Sequence, residues 1–237
     1  MTPPPLYKDN TLAIYELLGS GDSARVESML ALYGTFFPAY KHYIPRMRRR
    51  SALPTEARAG HIAHYWLVEA DDEPVGLTIF RYVRARACGL GIAFAIVPHA
   101  RALTVEGKRL SAFIIARIMD QLAGDAKRMG DSDFWGLVTE VEHIDLMNHY
   151  KLMGMYQLPI EYLEPVFPPE DSNRTREDEI KLVDFVPAIL GLTPSAGRRP
   201  DDFERGILEN FVLAFLVDHY GLPQDHPTVQ AVVNSIP

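Results

Sequence analysis

The 237-residue sequence predicts an α/β (α+β) domain built on a mixed, mostly antiparallel β-sheet. In HIAHYWLVEADDEPVGLTIFRYV, two runs rich in β-branched and aromatic residues flank a polar turn, which is the pattern of an antiparallel hairpin. A third apolar run, GLGIAFAIV, is followed by a long helical pattern and then by FWGLVTEV. A strand–helix–strand unit of this length is typical of parallel pairing, so we expect one parallel pair beside the hairpin.

The N-terminal part predicts one strand and two helical segments. The first residues are rich in proline, and we expect residues 1–10 to form a loose tail. Residues 12–18 predict a strand, and GSGDS supplies N-cap candidates for a helix with apolar residues at helical spacing. AYKHYI predicts a short helix or turn, and we expect the basic stretch RMRRRSALPTEARAG to be a loop.

The C-terminal part predicts a short helix, two strands and a helical extension. IDLMNHYKLMGM predicts a short helix that ends at Gly154. YQLPIEYLEPVF and IKLVDFVPAIL predict two strands. We expect residues 191–237 to form a helical cap or an oligomer arm, and an arm of this kind would allow a homodimer.

Composition argues against several classes of function. The net charge of −7 disfavours a nucleic-acid-binding surface. The single cysteine, Cys88, rules out an internal disulfide or a cysteine-based zinc cluster, and no HExxH pattern predicts another metal site. No apolar run approaches membrane-spanning length and the first residues have no apolar signal core, so we expect a cytoplasmic protein without a membrane partner.

The segment IVPHAR at the end of the third apolar run is a candidate anion site. The strand ends at Pro98, Arg101 follows, and a loop leads to the long helix. The first amides of a helix are unpaired and lie at the positive end of its dipole, and an arginine adds charge-assisted hydrogen bonds to phosphate. The pattern suits a pyrophosphate, and it also fits a plain strand-to-helix connection.

At these residues the sequence resembles the GCN5-related N-acetyltransferase (GNAT) superfamily. Its members have a Val-x-Pro-like turn after the fourth strand and then Arg/Gln-x-x-Gly-x-Gly/Ala before the third helix. This sequence offers Val97-Pro98-His99-Ala100-Arg101, and the two glycine positions fall on Thr104 and Glu106. A loop longer by one residue would place Gly107 at the second glycine and add the charge of Lys108.

A second resemblance lies in HIDLMNHYKLMGM. Many members have Asn-x-x-Ala-x-x-x-Tyr-x-x-x-Gly-Phe after the fifth strand. Tyr150, Gly154 and Met155 match the last three conserved positions, whereas His143 and Leu146 replace the asparagine and the alanine. The two resemblances together cover most of residues 11–190, the expected acyltransferase domain, and imply helices on both faces of the sheet and a central parallel strand pair.

The resemblance implies a set of site residues. Acetyl-CoA or another acyl-CoA would be the cosubstrate, and backbone amides at the end of the fourth strand would polarise its acyl carbonyl. Tyr150 would protonate the leaving thiolate, and His143, or in second place Glu140, would take the proton of the attacking amine. The residues expected to bind the cosubstrate are Ile96, Val97, Arg101, Thr104, Gly107 and Lys108.

The sequence therefore predicts an acyl-CoA-dependent acyltransferase, in the first place an N-acetyltransferase. The acceptor would be a small-molecule or protein amine that attacks the acyl group directly in a ternary complex. The alternative is a non-catalytic GNAT-fold module that binds a ligand or a protein, because Thr104 and Glu106 lack the backbone freedom of glycine and a glutamate repels pyrophosphate. The basic run RMRRR would contact an acidic substrate or a CoA phosphate, or be a solvated loop.

Overall fold

The computed structural model of the chain describes residues 4–56, 58–167, 184–199, 201 and 203–237. The chain forms two compact units. Unit 1 consists of Met1–Arg81 and Ile92–Ile118, and unit 2 of Tyr82–Gly91 and Met119–Pro237. Strands β4 (Glu73–Val83) and β5 (Cys88–Ile96) and helix α3 (Leu110–Arg128) each have residues in both units.

Unit 1 contains a sheet with helices on its two faces. Its strands are β1 (Tyr7–Lys8), β2 (Leu12–Glu16), β3 (His61–Ala70), β4 (Glu73–Val83, as far as Arg81), the second half of β5 (Cys88–Ile96), β6 (Thr104–Val105) and β7 (Lys108–Arg109). Its helices are α1 (Ser23–Phe36), a 3₁₀ helix (Pro38–Tyr43), α2 (Ile44–Ser51), a 3₁₀ turn (Pro98–Ala100) and the first half of α3 (Leu110–Arg128).

The predicted hairpin is confirmed in β3 and β4. Only Asp71 and Asp72 connect the two strands, and both have positive φ, 50° and 64°. Two consecutive residues with positive φ make a type I′ turn, whose twist matches that of antiparallel strands. In unit 1, β1, β2, β3, β4 and β5 are neighbours in that order.

Opposite faces of the unit 1 sheet carry different helices. Buried residues of α1 and α2, among them Met29 and Met47, pack with Tyr15 and Leu67. Ile14 is paired with Tyr7 of β1 and so lies on the other face, where the Tyr7 ring contacts Phe113 of α3 at a centroid distance of 4.9 Å. Because side chains alternate along β2, α1 and α2 pack on one face of the sheet and α3 packs on the other.

Two segments of unit 1 differ from the expectation. The first residues of the stretch expected to be a basic loop belong to α2. Arg50, in the last turn of that helix, donates hydrogen bonds to the carbonyl oxygens of Leu53, Pro54 and Thr55 in the segment that follows it. Within the expected tail, Tyr7–Lys8 pair with β2 as strand β1.

Unit 2 contains the parallel strand pair. Its strands are the first half of β5, β8 (Gly136–Val141), β9 (Tyr156–Gln157), β10 (Tyr162–Val166) and β11 (Asp184–Pro194). Its helices are a 3₁₀ turn (Arg84–Arg86), the second half of α3, α4 (Ile144–Lys151), α5 (Arg205–Leu213), a π-helix (Ala214–His219) and α6 (Pro227–Asn234).

The strand pairing of unit 2 confirms the predicted mixed sheet. β5 pairs with β8 in parallel, with Gly89 opposite Leu137 and Gly91 opposite Thr139. β11 pairs antiparallel with β8, β9 and β10. The predicted crossover through a long helix is therefore present, and this parallel pair lies beside antiparallel neighbours.

Helices cover both faces of the unit 2 sheet, as the resemblance implied. α5, the π-helix and α6 pack on the face that carries Val138, Leu190 and Leu192. α4 packs on the opposite face, against Val141 and Ile189. In the part of the chain that the structure describes, no helix has both the length and the apolar character needed to cross a membrane.

The boundary expected between residues 190 and 191 falls inside β11. That strand continues to Pro194, and its last four residues pair with β8. Residues 180–183, expected to begin this strand, lie outside the described residues. The helical part of the C-terminal segment begins at α5.

Gly154 ends α4 in a Schellman motif. The amide of Met155 donates to the carbonyl of Tyr150 at 3.1 Å, and the amide of Gly154 donates to that of Lys151 at 3.1 Å. Gly154 has φ 87°, in the left-handed region that favours glycine. The motif fixes where α4 ends and brings Met155 into contact with Met147 and Tyr150.

We expect Gly154→Ala to lower the free energy of unfolding by about 1–2 kcal/mol, because alanine is strained at positive φ. Gly124→Ala in α3 is the matched control, since a Cβ at either glycine meets nothing within 4 Å and only the backbone conformation differs. The control should raise the free energy of unfolding by about 0.5–1 kcal/mol. Urea denaturation measures the free energy of unfolding of the two variants. Equal effects of the two substitutions would contradict the left-handed conformation of Gly154 at the end of α4.

Candidate functional site

In unit 1, the segment expected to bind a pyrophosphate forms a small hairpin before α3. β6 and β7 pair antiparallel, with Thr104 opposite Arg109 and Val105 opposite Lys108. Glu106 and Gly107 form the turn with φ 51° and 75°, which is again the type I′ pattern. Gly107 is therefore required by the turn, and the connection from β5 to α3 is longer than a simple glycine loop.

The acidic residue of this turn is held by the N-terminal strand. The Tyr7 hydroxyl donates to Asp9 at 3.0 Å and to Oε1 of Glu106 at 3.4 Å. The Arg117 guanidinium lies 5.3 Å from the centre of the Tyr7 ring. Desolvation, followed by the effects of the two carboxylates, raises the pKa of Tyr7 to about 12, so its hydroxyl stays a donor. The Glu106 carboxylate is exposed and shares the single hydrogen of the Tyr7 hydroxyl with the closer Asp9.

The cations of this segment remain exposed. Nε of Arg101 donates to the carbonyl oxygen of Ile96 at 3.1 Å, which folds the side chain back over the end of β5. The terminal guanidinium nitrogens of Arg101 make no hydrogen bond to any residue that the structure describes. Lys108 and Arg109 are exposed immediately before α3, and the first turn of α3 has no acidic residue. Arg109 is not among the site residues predicted from the sequence, although its position beside the predicted start of the long helix was visible there.

The backbone at the end of β5 is partly committed to the sheet. The Val97 amide donates to the Val75 carbonyl at 2.9 Å, and the Ile96 carbonyl accepts from Arg101. An amide with a strand partner is not available to a substrate carbonyl. The amide of Val97, one of the residues expected to bind the cosubstrate through its backbone, therefore already donates to a strand partner.

In unit 2, α4 carries two of the three residues expected to move protons. His143 is the N-cap residue of α4, and its exposed side chain makes no capping hydrogen bond. Tyr150 lies in the last turn, half-buried against the cluster of Val141, Met147 and Met155. Burial raises the pKa of Tyr150 above its ordinary value.

Glu140 lies on the other face of the sheet. It is paired with Leu190 of β11, on the side covered by α5 and the π-helix, whereas α4 packs beside the next residue, Val141. Its carboxylate accepts one hydrogen bond from the Tyr162 hydroxyl and another, at 2.6 Å, from the Tyr220 hydroxyl. The structure therefore does not bring Glu140 together with Tyr150.

A groove of about 660 Å³ lies at the C-terminal end of α4, lined by Lys151 and residues 154–159. None of the nine residues that the sequence analysis placed in the site lines it. Within the described part of the chain, no three His, Cys, Asp or Glu residues are placed to hold a metal ion.

The comparisons with known proteins concern the fold. No protein-family model and no curated protein sequence matches the chain. Among solved structures, one described as an acetyltransferase of the GNAT family from Bacteroides thetaiotaomicron is similar, with a TM-score of 0.50, 17% identity and coverage of 89% of this chain and 99% of that one. Tetrahymena GCN5 is similar with a TM-score of 0.46, 11% identity and coverage of 79% and 98%. The mixed sheet, the parallel pair and the helices on both faces, together with the first of these likenesses, give the chain the fold of the GNAT acetyltransferases.

Proposed function

We propose that the protein is an acyl-CoA-dependent acyltransferase, in the first place an N-acetyltransferase that transfers an acetyl group to a small-molecule or protein amine. The observation that carries the proposal is the exposed basic hairpin directly before α3, in a chain with the GNAT fold. Acetyl-CoA or another acyl-CoA is the proposed cosubstrate.

The charges around the start of α3 support anion binding. Arg101, Lys108 and Arg109 lie within nine residues of one another along the chain, and all three side chains are exposed. The positive end of the helix dipole adds to their field. The one carboxylate of the turn, on Glu106, is hydrogen-bonded to Tyr7. In the proposed complex the cosubstrate phosphates are bound by side-chain cations together with amides of the first turn.

The proposed proton transfers use residues of α4. Tyr150 is the proposed acid, because its phenol is protonated at neutral pH and can give its proton to the leaving thiolate. Burial raises its pKa, which makes it a weaker acid than an exposed tyrosine. His143 is exposed at the helix start and is the proposed base for the attacking ammonium. Glu140 is omitted from this pair because its carboxylate is engaged by two tyrosine hydroxyls on the opposite face. The acyl carbonyl is polarised by a backbone amide at the end of β5 other than that of Val97.

The second candidate is a non-catalytic module of the same fold that binds a ligand or a protein. The engaged Val97 amide and the hairpin in place of a glycine loop favour it, since both reduce the number of backbone donors open to a cosubstrate. The two candidates differ in whether acetyl-CoA binds and is consumed.

We expect Arg101→Ala to weaken binding of acetyl-CoA and of CoA by about tenfold to a hundredfold, the range for hydrogen bonds to a charged group. Both ligands should be affected equally because they share the pyrophosphate. Isothermal titration calorimetry of the full chain measures the two affinities. Lys41→Ala is the control, since Lys41 is an exposed cation of the 3₁₀ helix Pro38–Tyr43 in the same unit and lies outside the run RMRRR. An equal loss in the control would mean that only overall charge matters, and no binding by the wild type would favour the second candidate.

We expect Tyr150→Phe to lower kcat by about 10²–10⁴, because general acid catalysis contributes a factor of this size. The affinity for CoA should be unchanged. Release of the CoA thiol from acetyl-CoA, in the presence of a panel of polyamines, amino sugars and amino acids, measures turnover. Tyr156→Phe is the matched control, an exposed tyrosine six residues further along. Full activity of Tyr150→Phe would remove the acid assignment, and no thiol release by the wild type with any amine would count against the enzyme.

A further inference from the structure

Three tyrosines of unit 1 pack together between its first helices and the sheet. Tyr33 of α1, Tyr43 at the end of the 3₁₀ helix and Tyr65 of β3 belong to one cluster, which also contains buried residues of α1 and α2. Burial raises the pKa of Tyr33, and the nearby Tyr43 and Tyr65 raise it further, so the three hydroxyl groups lie near one another. A phenol hydroxyl can donate a hydrogen bond to an anion.

Arginine side chains of α2 lie beside the same strand. Arg50 donates a hydrogen bond to the Thr55 carbonyl oxygen at 3.2 Å, and that oxygen also accepts one from the Ala63 amide of β3 at 3.1 Å. Ala63 and Tyr65 are two residues apart on β3 and so lie on one face of the sheet. Arg46 lies one helical turn before Arg50, on the same side of α2.

A third arginine comes from β4. Ile79 packs in the tyrosine cluster, and Arg81, two residues further along the strand, lies on the same face. Burial has the largest effect on the pKa of Tyr65 and raises it. Three arginines lower this pKa, in the order Arg50, Arg46 and Arg81. Their guanidinium groups therefore lie close enough to Tyr65 to stabilise a negative charge beside its hydroxyl group.

The carboxylate of Glu16 does not balance these charges. Its Oε1 accepts hydrogen bonds from the amides of Leu18 and Tyr65 at 2.9 and 3.1 Å. Its Oε2 lies 2.6 Å from Nδ1 of His64 and accepts a hydrogen bond from Nε1 of Trp66 at 3.1 Å. The side chains of His64 and Trp66 alternate with that of Tyr65 along β3, so this carboxylate is engaged on the other face of the sheet.

Two polar side chains beside the cluster make no hydrogen bond within the part of the chain that the structure describes. Both ring nitrogens of His42 are buried and have no partner there, and the ring centre lies 4.0 Å from that of Tyr43. The exposed Arg46 lies four residues further along an unbroken helical segment and forms no hydrogen bond or ion pair with a described residue. A buried imidazole without a partner is rare in folded proteins, and a polar ligand would supply one.

We propose that Arg46, Tyr65 and His42 form a binding site for a carboxylate group, and that the acceptor of the proposed reaction carries this group. A guanidinium binds a carboxylate through two parallel hydrogen bonds, and a phenol hydroxyl can donate a third. The partly buried rings of Phe37 and Tyr43 pack in the same cluster and would contact the apolar part of such a molecule. The three arginines repel polyamines. The acceptor is therefore an amine that carries a carboxylate group, as an amino acid does.

The identity of the ligand as the acceptor rests on the proposed function. Ala95 of β5 packs in the same cluster as Tyr65, and β5 ends one residue later, at the backbone proposed to polarise the acyl carbonyl. An acceptor bound at the cluster would therefore lie against the strand that leads to the acyl group. Binding of the carboxylate does not require acetyl transfer, so the two are measured separately.

Binding without turnover is measured by ligand-observed NMR titration of the full chain with phenylacetate and with benzylamine. The two probes share a benzyl group and differ in carrying an anionic or a cationic group, so only phenylacetate should bind. Arg46→Ala and Tyr65→Phe should each raise its dissociation constant by about tenfold or more, the range for a hydrogen bond to a charged group. Lys41→Ala is the matched control, because Lys41 is an exposed cation of the adjoining 3₁₀ helix, and it should leave binding unchanged.

Three results of this titration overturn the site: no binding of phenylacetate, equal binding of the two probes, or an equal loss in Arg46→Ala and Lys41→Ala. The affinity for CoA should be the same in Arg46→Ala as in the wild type. A loss of CoA affinity that matches the loss of phenylacetate affinity would assign Arg46 to a cosubstrate phosphate and overturn the acceptor site.

Turnover of matched acceptors tests the acceptor assignment. Thiol release from acetyl-CoA is measured with pairs of an amino acid and its amide, among them L-phenylalanine and L-phenylalaninamide. The kcat/KM of the acid should exceed that of the amide, and Arg46→Ala should lower this ratio by about tenfold, because only the acid pairs with the arginine. Equal kcat/KM for acid and amide would overturn the acceptor assignment and leave the proposed acyltransferase standing. Binding of phenylacetate that depends on Arg46, without thiol release with any amine, would overturn the acyltransferase and leave the carboxylate site standing.

Discussion

The packing of unit 2 depends on two strand glycines, Gly89 and Gly191, because side chains from α3 and from the residue after α4 lie directly against their backbone. A Cβ at Gly89 of β5 would lie 2.3 Å from Cδ1 of Leu122, so the second half of α3 rests directly on the strand that forms the parallel pair. A Cβ at Gly191 of β11 would lie 2.6 Å from the sulfur of Met155, the residue that follows the helix end at Gly154. Both distances are shorter than packed atoms adopt, so a side chain at either glycine would force the end of the Leu122 or the Met155 side chain to move. Glycine at these two positions lets the side chains of Leu122 and Met155 pack against the strand backbone.

The features that local sequence specifies could be predicted. The turn Asp71–Asp72, the long helix α3 and the helix end at Gly154 each depend on a few adjacent residues and on the period of the apolar positions. The helix α2 could not be recognised in the same way. Only Met47 and Ser51 of its eight residues are buried, so its arginines give a composition typical of a loop. Arg50 contacts the backbone carbonyls of Leu53 and Pro54 just after the helix, and composition does not reveal such contacts.

In the candidate site, too, features set by adjacent residues could be predicted, and features set by contacts between distant residues could not. The segment from Ile96 to Lys108 is continuous in the chain, and its cationic character was evident, but the hairpin within it is set by a turn of two residues that reads equally well as a loop. Glu140 needed information from far along the chain. Its two hydrogen-bond donors lie 22 and 80 residues away, and its face of the sheet is decided by which neighbour contacts α4. Successive side chains of a strand lie on opposite faces of the sheet. The sequence places Glu140 near the end of β8, but it does not show whether the side chain lies on the face covered by α4 or on the face covered by the C-terminal helices.

The form of the loop before α3 has a consequence for how it can bind an anion. A glycine loop binds phosphate with backbone amides, which are fixed in place and lose no side-chain freedom on binding. The hairpin commits the backbone around Val105 and Lys108 to its own ladder and instead exposes the side chains of Arg101, Lys108 and Arg109. Long cationic side chains must be ordered on binding, and their attraction for phosphate is screened by salt. Binding through such a loop therefore depends on ionic strength more strongly than binding through amides does. Glu106, the one carboxylate of the turn, is exposed as the three cations are, and its Oε1 lies 3.4 Å from the Tyr7 hydroxyl of β1.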